Sequence, residues 1–233
     1  MASTASPIKN VVVMIADGAG FNTLQATRLY LQGLADGDPR AGAAGKILIA
    51  DGPTFTATAQ SVFPLDNRTA PLPGEVGLAQ NPAVVYDPAK VYDFTPVSGL
   101  DPNGQPRAFA GYEFNRNTYP DSGNTATSIA TGGKTYNNAI DVDGAGERLF
   151  SIAEQAKELG KATGVVTTVQ FSDATPAATG GAHNIARSNA NQIAQEMFSA
   201  GTLDVIGGTG NPDFDDNGRM RVSPDNTWIG ADL

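Results

Sequence analysis

The first apolar and polar stretches of the chain predict a strand, a turn and a helix. The apolar run Val11–Ile15 is followed by Ala16-Asp17-Gly18, and leucines then recur with helical spacing over residues 21–34. A short apolar run before a tight turn is typical of a buried strand, and ligands of open α/β sheets lie at the carboxyl ends of strands. Asp17 is therefore a candidate ligand or, alternatively, a residue that only caps the turn.

The next part of the chain loses this regular pattern. Residues 51–120 are rich in Pro, Gly, Asn and Asp, with short strand-like pieces at 54–58 and 83–86. Irregular connections of this length are usually functional or disordered. We expect one α/β domain over residues 1–233, with an irregular excursion at about 51–120.

Regular patterning returns in the second half of the chain. Ser151 and Glu154 have the spacing of a capping box and predict a helix over 151–159, and residues 186–200 predict another. β-branched and apolar residues predict strands at 162–169 and 203–206. This alternation predicts a mainly parallel central sheet flanked by helices, and the sheet is expected to be incomplete in this chain.

Composition excludes several classes of function. The net charge is −9, from 24 acidic and 15 basic residues, and no basic cluster is present, which argues against nucleic-acid binding. The absence of cysteine excludes disulfides and thiolate zinc, and it fits an exported protein. No apolar run could span a bilayer. We expect a periplasmic or extracellular protein whose signal peptide is absent from this chain and that makes no membrane contact.

Candidate chemistry centres on Ser122. Asp121 and Ser122 precede a run of small residues that ends at Gly132-Gly133, which predicts a helix with a serine at its start. Unpaired N–H groups and the helix dipole favour a phosphate or an alkoxide there. The alternative is an ordinary N-cap serine.

Oxygen donors and one arginine supply the rest of the candidate site. Asp17, Thr175 and Asp173 offer hard oxygen ligands that suit Mg²⁺, and Arg187 offers a planar fork for two phosphate oxygens. We expect Arg187 to lie on a helix. His183 is the single histidine, so this chain cannot build a two-zinc site by itself.

A second metal loop is considered near the end of the chain. Asp213, Asp215 and Asn217 alternate before Gly218, which is the spacing of the first half of a calcium loop. Pro224 stands where the bidentate acid is expected, so the alternative is a polar surface turn.

Several motifs in order resemble those of the alkaline phosphatase family. They are the opening strand and turn at 9–20, the serine motif at 121–135, its continuation at 137–143, the Asp-Ala-Thr-Pro-Ala motif at 173–177, the segment at 182–187 and the strand at 203–208. The sequence departs from the family at Gly123-Asn124, where two small residues are usual, and at Pro120. The family position of His183 is not a metal ligand, so we expect a structural role for it.

The resemblance implies roles for five residues. Ser122 would be the zinc-held nucleophile that becomes phosphorylated, and Arg187 would bind phosphate. Asp17 would bridge a zinc and the magnesium, Thr175 would bind magnesium, and Asp173 would lie beside it. The other ligands of the magnesium and of two zincs are expected outside this chain.

The resemblance also implies a function. It predicts a hydrolase of small phosphate monoesters that works through a phosphoserine and is commonly a homodimer. The second half of the site would come from a second chain or a cleaved piece, and this chain alone would be inactive. The alternatives are a related phosphodiesterase or sulfatase, or a truncated module that binds phosphate or a partner without catalysis.

Overall fold

The computed structural model describes residues 8–35, 55–56 and 58–231, and the chain divides into two compact units, Met1–Ala59 and Gln60–Leu233. The first unit contains helix α1, Phe21–Ala35, as the leucine spacing predicts. The predicted strand Val11–Ile15 is wrong, because this run has no strand conformation and Val12 is 81% exposed. A strand is stabilised by pairing, and the described part of this unit offers it no partner strand.

The second unit begins with the irregular excursion. It contains a 3₁₀ helix at Glu75–Leu78 and the helices α2, Pro88–Val91, and α3, Ala110–Thr118. The strand-like piece at 83–86 is a turn, because the side chain and carbonyl of Asn81 accept the N–H groups of the two residues that open it. Of the piece at 54–58, residues 54 and 57 lie outside the described residues, and the others form no strand.

The rest of the second unit is an α/β arrangement. Its elements are α4, Ser122–Thr131; α5, Ile152–Glu158; β1, Gly164–Gln170; α6, Ala174–Thr179; α7, Ala190–Ser199; and β2, Val205–Thr209. Strands β1 and β2 pair in parallel, with Gly164 opposite Val205. This pairing and its flanking helices confirm the predicted fold class of an α/β protein with an incomplete parallel sheet. The single domain over residues 1–233 stays a prediction.

The core joins three helices to the sheet. Ala126 of α4, Ala177 of α6, and Ile193 of α7 are at most 2% exposed and belong to one apolar cluster with Phe171. Small alanine side chains let helices α4 and α6 pack closely. None of the helices in the described ranges combines the length and the apolar character needed to cross a bilayer.

The segment before α7 differs from the prediction. The N–H of Arg187 donates to the Asn138 carbonyl at 2.8 Å, and Asn184 exchanges two backbone hydrogen bonds with Ile140. These bonds keep the segment out of a helix, so α7 begins at Ala190. Arg187 therefore lies in a turn before the helix, and its predicted place on a helix is wrong.

Candidate active site

The serine opens α4 as its sequence predicts, and the residue before it is the cap. The Oδ1 atom of Asp121 accepts the N–H of Asn124 at 2.9 Å, so Asp121 is the N-cap and Ser122 is the first helical residue. The helix ends at Gly132, whose φ of 74° is left-handed and whose N–H donates to Ser128. Ser122 is half-buried at the positive end of the helix.

Arg187 joins the serine to two carboxylates. Its Nη1 atom donates to Ser122 Oγ at 2.7 Å and to Asp121 Oδ2 at 3.3 Å. Its Nη2 atom donates to Asp173 Oδ1 at 2.7 Å. The fold thus brings together three of the residues expected in the site, Ser122, Asp173 and Arg187, although Ser122 and Arg187 are 65 positions apart in the sequence.

The carboxylates hold the arginine as a fixed cation. Burial alone would lower the pKa of the Arg187 guanidinium, but hydrogen bonds and charge from Asp173 and Asp121 outweigh burial and raise that pKa. A protonated guanidinium with paired N–H groups matches two oxygens of a phosphate group. The arrangement can therefore bind an anion directly beside the serine hydroxyl.

The other two predicted site residues, Thr175 and Asp17, lie in helix α6 and in the first unit. Thr175 is half-buried in the first turn of α6, which Asp173 caps by accepting the N–H of Ala174 at 2.7 Å. Asp17 lies in the turn that Gly18 forms with a φ of 74°, and it belongs to the first unit. Thr175 therefore lies two residues after Asp173 in the same turn, and Asp17 is described only within the first unit.

The described site residues offer the oxygen donors that a hard cation prefers, but too few of them to hold one. Asp173 and Thr175 supply oxygen, which Mg²⁺ prefers, but the described ranges contain no group of three or more His, Asp or Glu side chains that could hold a metal ion. Both oxygens of Asp121 already accept backbone N–H groups, from Asn124 and Asn138. Within the described part of the chain, these donors therefore do not complete a cage for Mg²⁺ or Zn²⁺.

The loop considered for calcium is closed by its own backbone. The Oδ1 atom of Asp215 accepts the N–H groups of Asn217 at 2.9 Å and Arg219 at 2.8 Å, while the N–H of Asp213 donates to Asn211. These bonds are those of a polar turn, the alternative that the sequence offered.

His183 contacts structural partners. Its Nδ1 atom lies 3.0 Å from Glu196 Oε1, and its Nε2 atom lies 2.8 Å from the Leu149 carbonyl. Burial alone would raise the pKa of Glu196, but hydrogen bonds from His183 outweigh burial and lower it. The ring thus ties α7 to the segment before α5, in agreement with the structural role expected for it.

The role of two asparagines beside the site was not predictable from the sequence. Asn137 Oδ1 accepts the N–H of Asp121 at 2.9 Å and also contacts the Asn124 amide, while the Asn138 N–H donates to Asp121 Oδ2 at 3.0 Å. The available signal was the Asn-Asn pair, because asparagine favours left-handed turns. Its partners are distant in sequence and could not be inferred from it.

Comparison with known proteins places these residues in context. Residues 108–215 match the family model for alkaline phosphatase. Alkaline phosphatase 3 from Bacillus subtilis is 40% identical over 132 residues, which are 51% of this chain and 28% of that protein. Alkaline phosphatase 4 from the same organism is 51% identical over 78 residues, which are 34% of this chain and 17% of that protein. The matched part therefore spans less than a third of either relative.

Solved structures give similar matches. A cold-active alkaline phosphatase from the psychrophile Shewanella is 35% identical, with a TM-score of 0.38 over 54% of this chain and 27% of that one. An alkaline phosphatase from the Antarctic bacterium TAB5 is 38% identical, with a TM-score of 0.35 over 36% of this chain and 24% of that one. The sequence matches confirm the resemblance: residues 108–215, which hold Ser122, Asp173, Thr175 and Arg187, match the model of the alkaline phosphatase family.

Proposed function

We propose that this protein is part of a metal-dependent phosphate monoester hydrolase, an alkaline phosphatase that acts through a phosphoserine on Ser122. The observation that carries the proposal is the 2.7 Å hydrogen bond from Arg187 to Ser122 Oγ at the N-terminus of α4. A nucleophilic hydroxyl and a bidentate phosphate-binding cation in contact are the two protein groups that such a reaction needs.

The proposed reaction uses each of these groups in turn. Arg187 binds two oxygens of the phosphate, and Ser122 then exchanges its hydrogen bond to Arg187 for contact with phosphorus. The Oγ–P bond forms in line with the ester bond, which breaks. The leaving oxygen takes a proton from solvent to form the alcohol, and the serine proton is lost to solvent. Attack of water on the phosphoserine then releases phosphate and restores the hydroxyl.

Metal ions are proposed as cofactors of this site. Asp17 and Thr175 would bind Mg²⁺ with Asp173 beside it, and two Zn²⁺ would take Ser122 and Asp17 together with ligands from residues outside this chain. When bound, such ions supply positive charge that favours the ionised forms of a serine hydroxyl and of water. The Mg²⁺ part of the proposal is supported by the type of donor, because Asp173 and Thr175 both offer oxygen atoms. For calcium at Asp213, Asp215 and Asn217 we find no support beyond the spacing.

The wider setting is proposed from the family. The substrate would be a small phosphate monoester, and the remaining half of the site would reside on a second chain or a cleaved piece. The complete enzyme would be a periplasmic or extracellular homodimer. The absence of cysteine fits the proposed exported location.

Ser122→Ala tests the proposed function. The variant is made in the complete protein, with every chain that purifies with it, and hydrolysis of p-nitrophenyl phosphate is measured with added Zn²⁺ and Mg²⁺. Loss of the nucleophile is expected to lower kcat by at least about a thousandfold. Peptide mass spectrometry of acid-quenched parent protein is expected to find phosphoserine at residue 122. Ser128→Ala, on the same helix, is the matched control and keeps parent activity.

Two outcomes would favour the alternatives. Faster turnover of a phosphate diester or a sulfate ester than of the monoester would indicate a related superfamily enzyme. Phosphate binding without turnover of any ester, and without phosphoserine, would indicate a non-catalytic module.

A further inference from the structure

The turn at Asn138 is hydrogen-bonded both to the cap of the serine helix and to the arginine of the candidate site. The N–H of Asn138 donates to Asp121 Oδ2 at 3.0 Å, and the carbonyl of the same residue accepts the N–H of Arg187 at 2.8 Å. Asp121 caps the helix that Ser122 opens. A single peptide segment therefore connects the backbone of the arginine to the cap of the serine helix.

The neighbouring side chain fixes the entry to that helix. Asn137 Oδ1 accepts the N–H of Asp121 at 2.9 Å and contacts the Asn124 amide, and its Nδ2 atom donates to the Tyr119 carbonyl at 3.2 Å. Asn124 is one of the departures from the family pattern. The turn thus holds the residues on both sides of Pro120 before the helix begins.

The turn depends on an unusual backbone conformation. Asn138 has a φ of 78°, in the left-handed region that asparagine and glycine tolerate and other L-residues disfavour. Two residues further on, Ile140 and Asn184 are joined by reciprocal hydrogen bonds of 2.9 and 2.8 Å. The bonds between Ile140 and Asn184 fix the chain on that side of the turn. A residue at 138 that disfavours the left-handed conformation would therefore distort the hydrogen bonds to Asp121 and Arg187 instead.

We propose that Asn138 is a positioning residue whose left-handed backbone sets the separation between Ser122 Oγ and the Arg187 guanidinium. The inference deepens the proposed function and rests on it for its kinetic consequences. The separation itself is a structural property that can be measured in any case.

The test compares three variants in the complete protein. Asn138→Gly keeps the left-handed conformation and both backbone hydrogen bonds, so it is expected to keep parent kcat/KM. Asn138→Ala is expected to lower kcat/KM roughly tenfold to a hundredfold, with a raised KM because Arg187 binds the phosphate oxygens. Gly160→Ala is the matched control, because Gly160 has a φ of 69°, has open space around its Cβ position, and closes α5. It imposes the same kind of strain and is expected to leave kcat/KM unchanged.

Crystal structures of the variants test the positioning role of Asn138 independently of the proposed phosphatase function. The distance from Ser122 Oγ to Arg187 Nη1 is expected to stay near 2.7 Å in Asn138→Gly and to lengthen in Asn138→Ala. A parent protein without turnover would overturn the proposed function, while this distance would still decide the role of Asn138. Parent kinetics in Asn138→Ala, or an unchanged distance, would overturn the inference.

Discussion

At the scale of single residues, Asp141 is unusual because it is a buried carboxyl group without an oppositely charged partner among the described residues. Its side chain is fully buried, its φ is 41°, and neither carboxyl oxygen has a hydrogen-bond partner, while its N–H donates to Thr127 Oγ1 at 2.9 Å. Burial, and secondarily the charge of Glu154, raises the pKa of this carboxyl to about 9. The folded protein therefore holds Asp141 neutral at pH 7, because an unpaired carboxylate would be costly there.

This carboxyl predicts a pH dependence of stability. The folded pKa lies above the unfolded value of 3.8, so the stabilisation that comes from neutral Asp141 is complete below about pH 4 and is lost as the pH rises towards 9. Asp141→Asn cannot titrate. Between pH 5 and 8, the free energy of unfolding of the parent is expected to fall relative to the variant by up to about 1.4 kcal/mol per pH unit.

Denaturant unfolding at several pH values measures this difference. Asp216→Asn, which removes an exposed carboxylate, is the control and is expected to follow the parent. Parallel curves for the parent and Asp141→Asn would show that Asp141 is ionised in the folded state.

At the scale of elements, helix α4 approaches the 137–140 segment unusually closely at its first turn. A Cβ atom on Gly123 would lie 2.9 Å from the Ala139 carbonyl oxygen and 3.2 Å from Asp121 Oδ2. Glycine therefore permits the contact that brings the start of the helix against this segment. The departure from the family pattern at position 123 thus has a packing reason in this chain.

Gly123→Ala is expected to push the start of α4 away from the Ala139 carbonyl. Overpacking of this kind costs about 1–3 kcal/mol of the free energy of unfolding, and the shift would also weaken phosphate binding because Ser122 is the adjacent residue. Denaturant unfolding and calorimetric titration with inorganic phosphate measure the two effects. Gly20→Ala, where the added Cβ meets nothing within 4 Å, is expected to change neither.

At the scale of the whole molecule, the described residues contain a two-stranded parallel sheet and only some of the metal ligands that we propose. Val166 of β1 is 81% exposed, whereas parallel strands are normally covered on both faces. The matched part of the chain spans 28% of Bacillus subtilis alkaline phosphatase 3. These observations agree with the proposal that further ligands come from residues outside this chain.

Metal analysis tests that proposal. The 233-residue chain, purified alone and dialysed against excess Zn²⁺ and then metal-free buffer, is expected to retain less than one zinc per chain, because tight sites need three or four protein ligands. The native particle, analysed in parallel by native mass spectrometry, is expected to retain zinc together with additional polypeptide. Stoichiometric zinc on the isolated chain would contradict the proposal.

The sequence predicts elements that are fixed by local signals better than elements that depend on distant partners. Local signals were sufficient for α4 and α5, because a capping aspartate, a capping box and a terminal glycine act within a few residues. They were insufficient for the run Val11–Ile15, since apolar character predicts a strand but pairing depends on distant residues. The start of α7 was placed too early for the same reason, because the Asn138 carbonyl holds Arg187 in a turn.

By itself, the sequence determined the α/β class, the helix that begins at Ser122, and the resemblance of residues 108–215 to alkaline phosphatases, because each follows from local order and residue type. Only the tertiary structure decided that Arg187 contacts Ser122, Asp121 and Asp173, and that the left-handed Asn138 bonds to both Asp121 and the backbone of Arg187. Those contacts join positions up to 66 residues apart, and their geometry depends on backbone bonds that residue types do not encode locally.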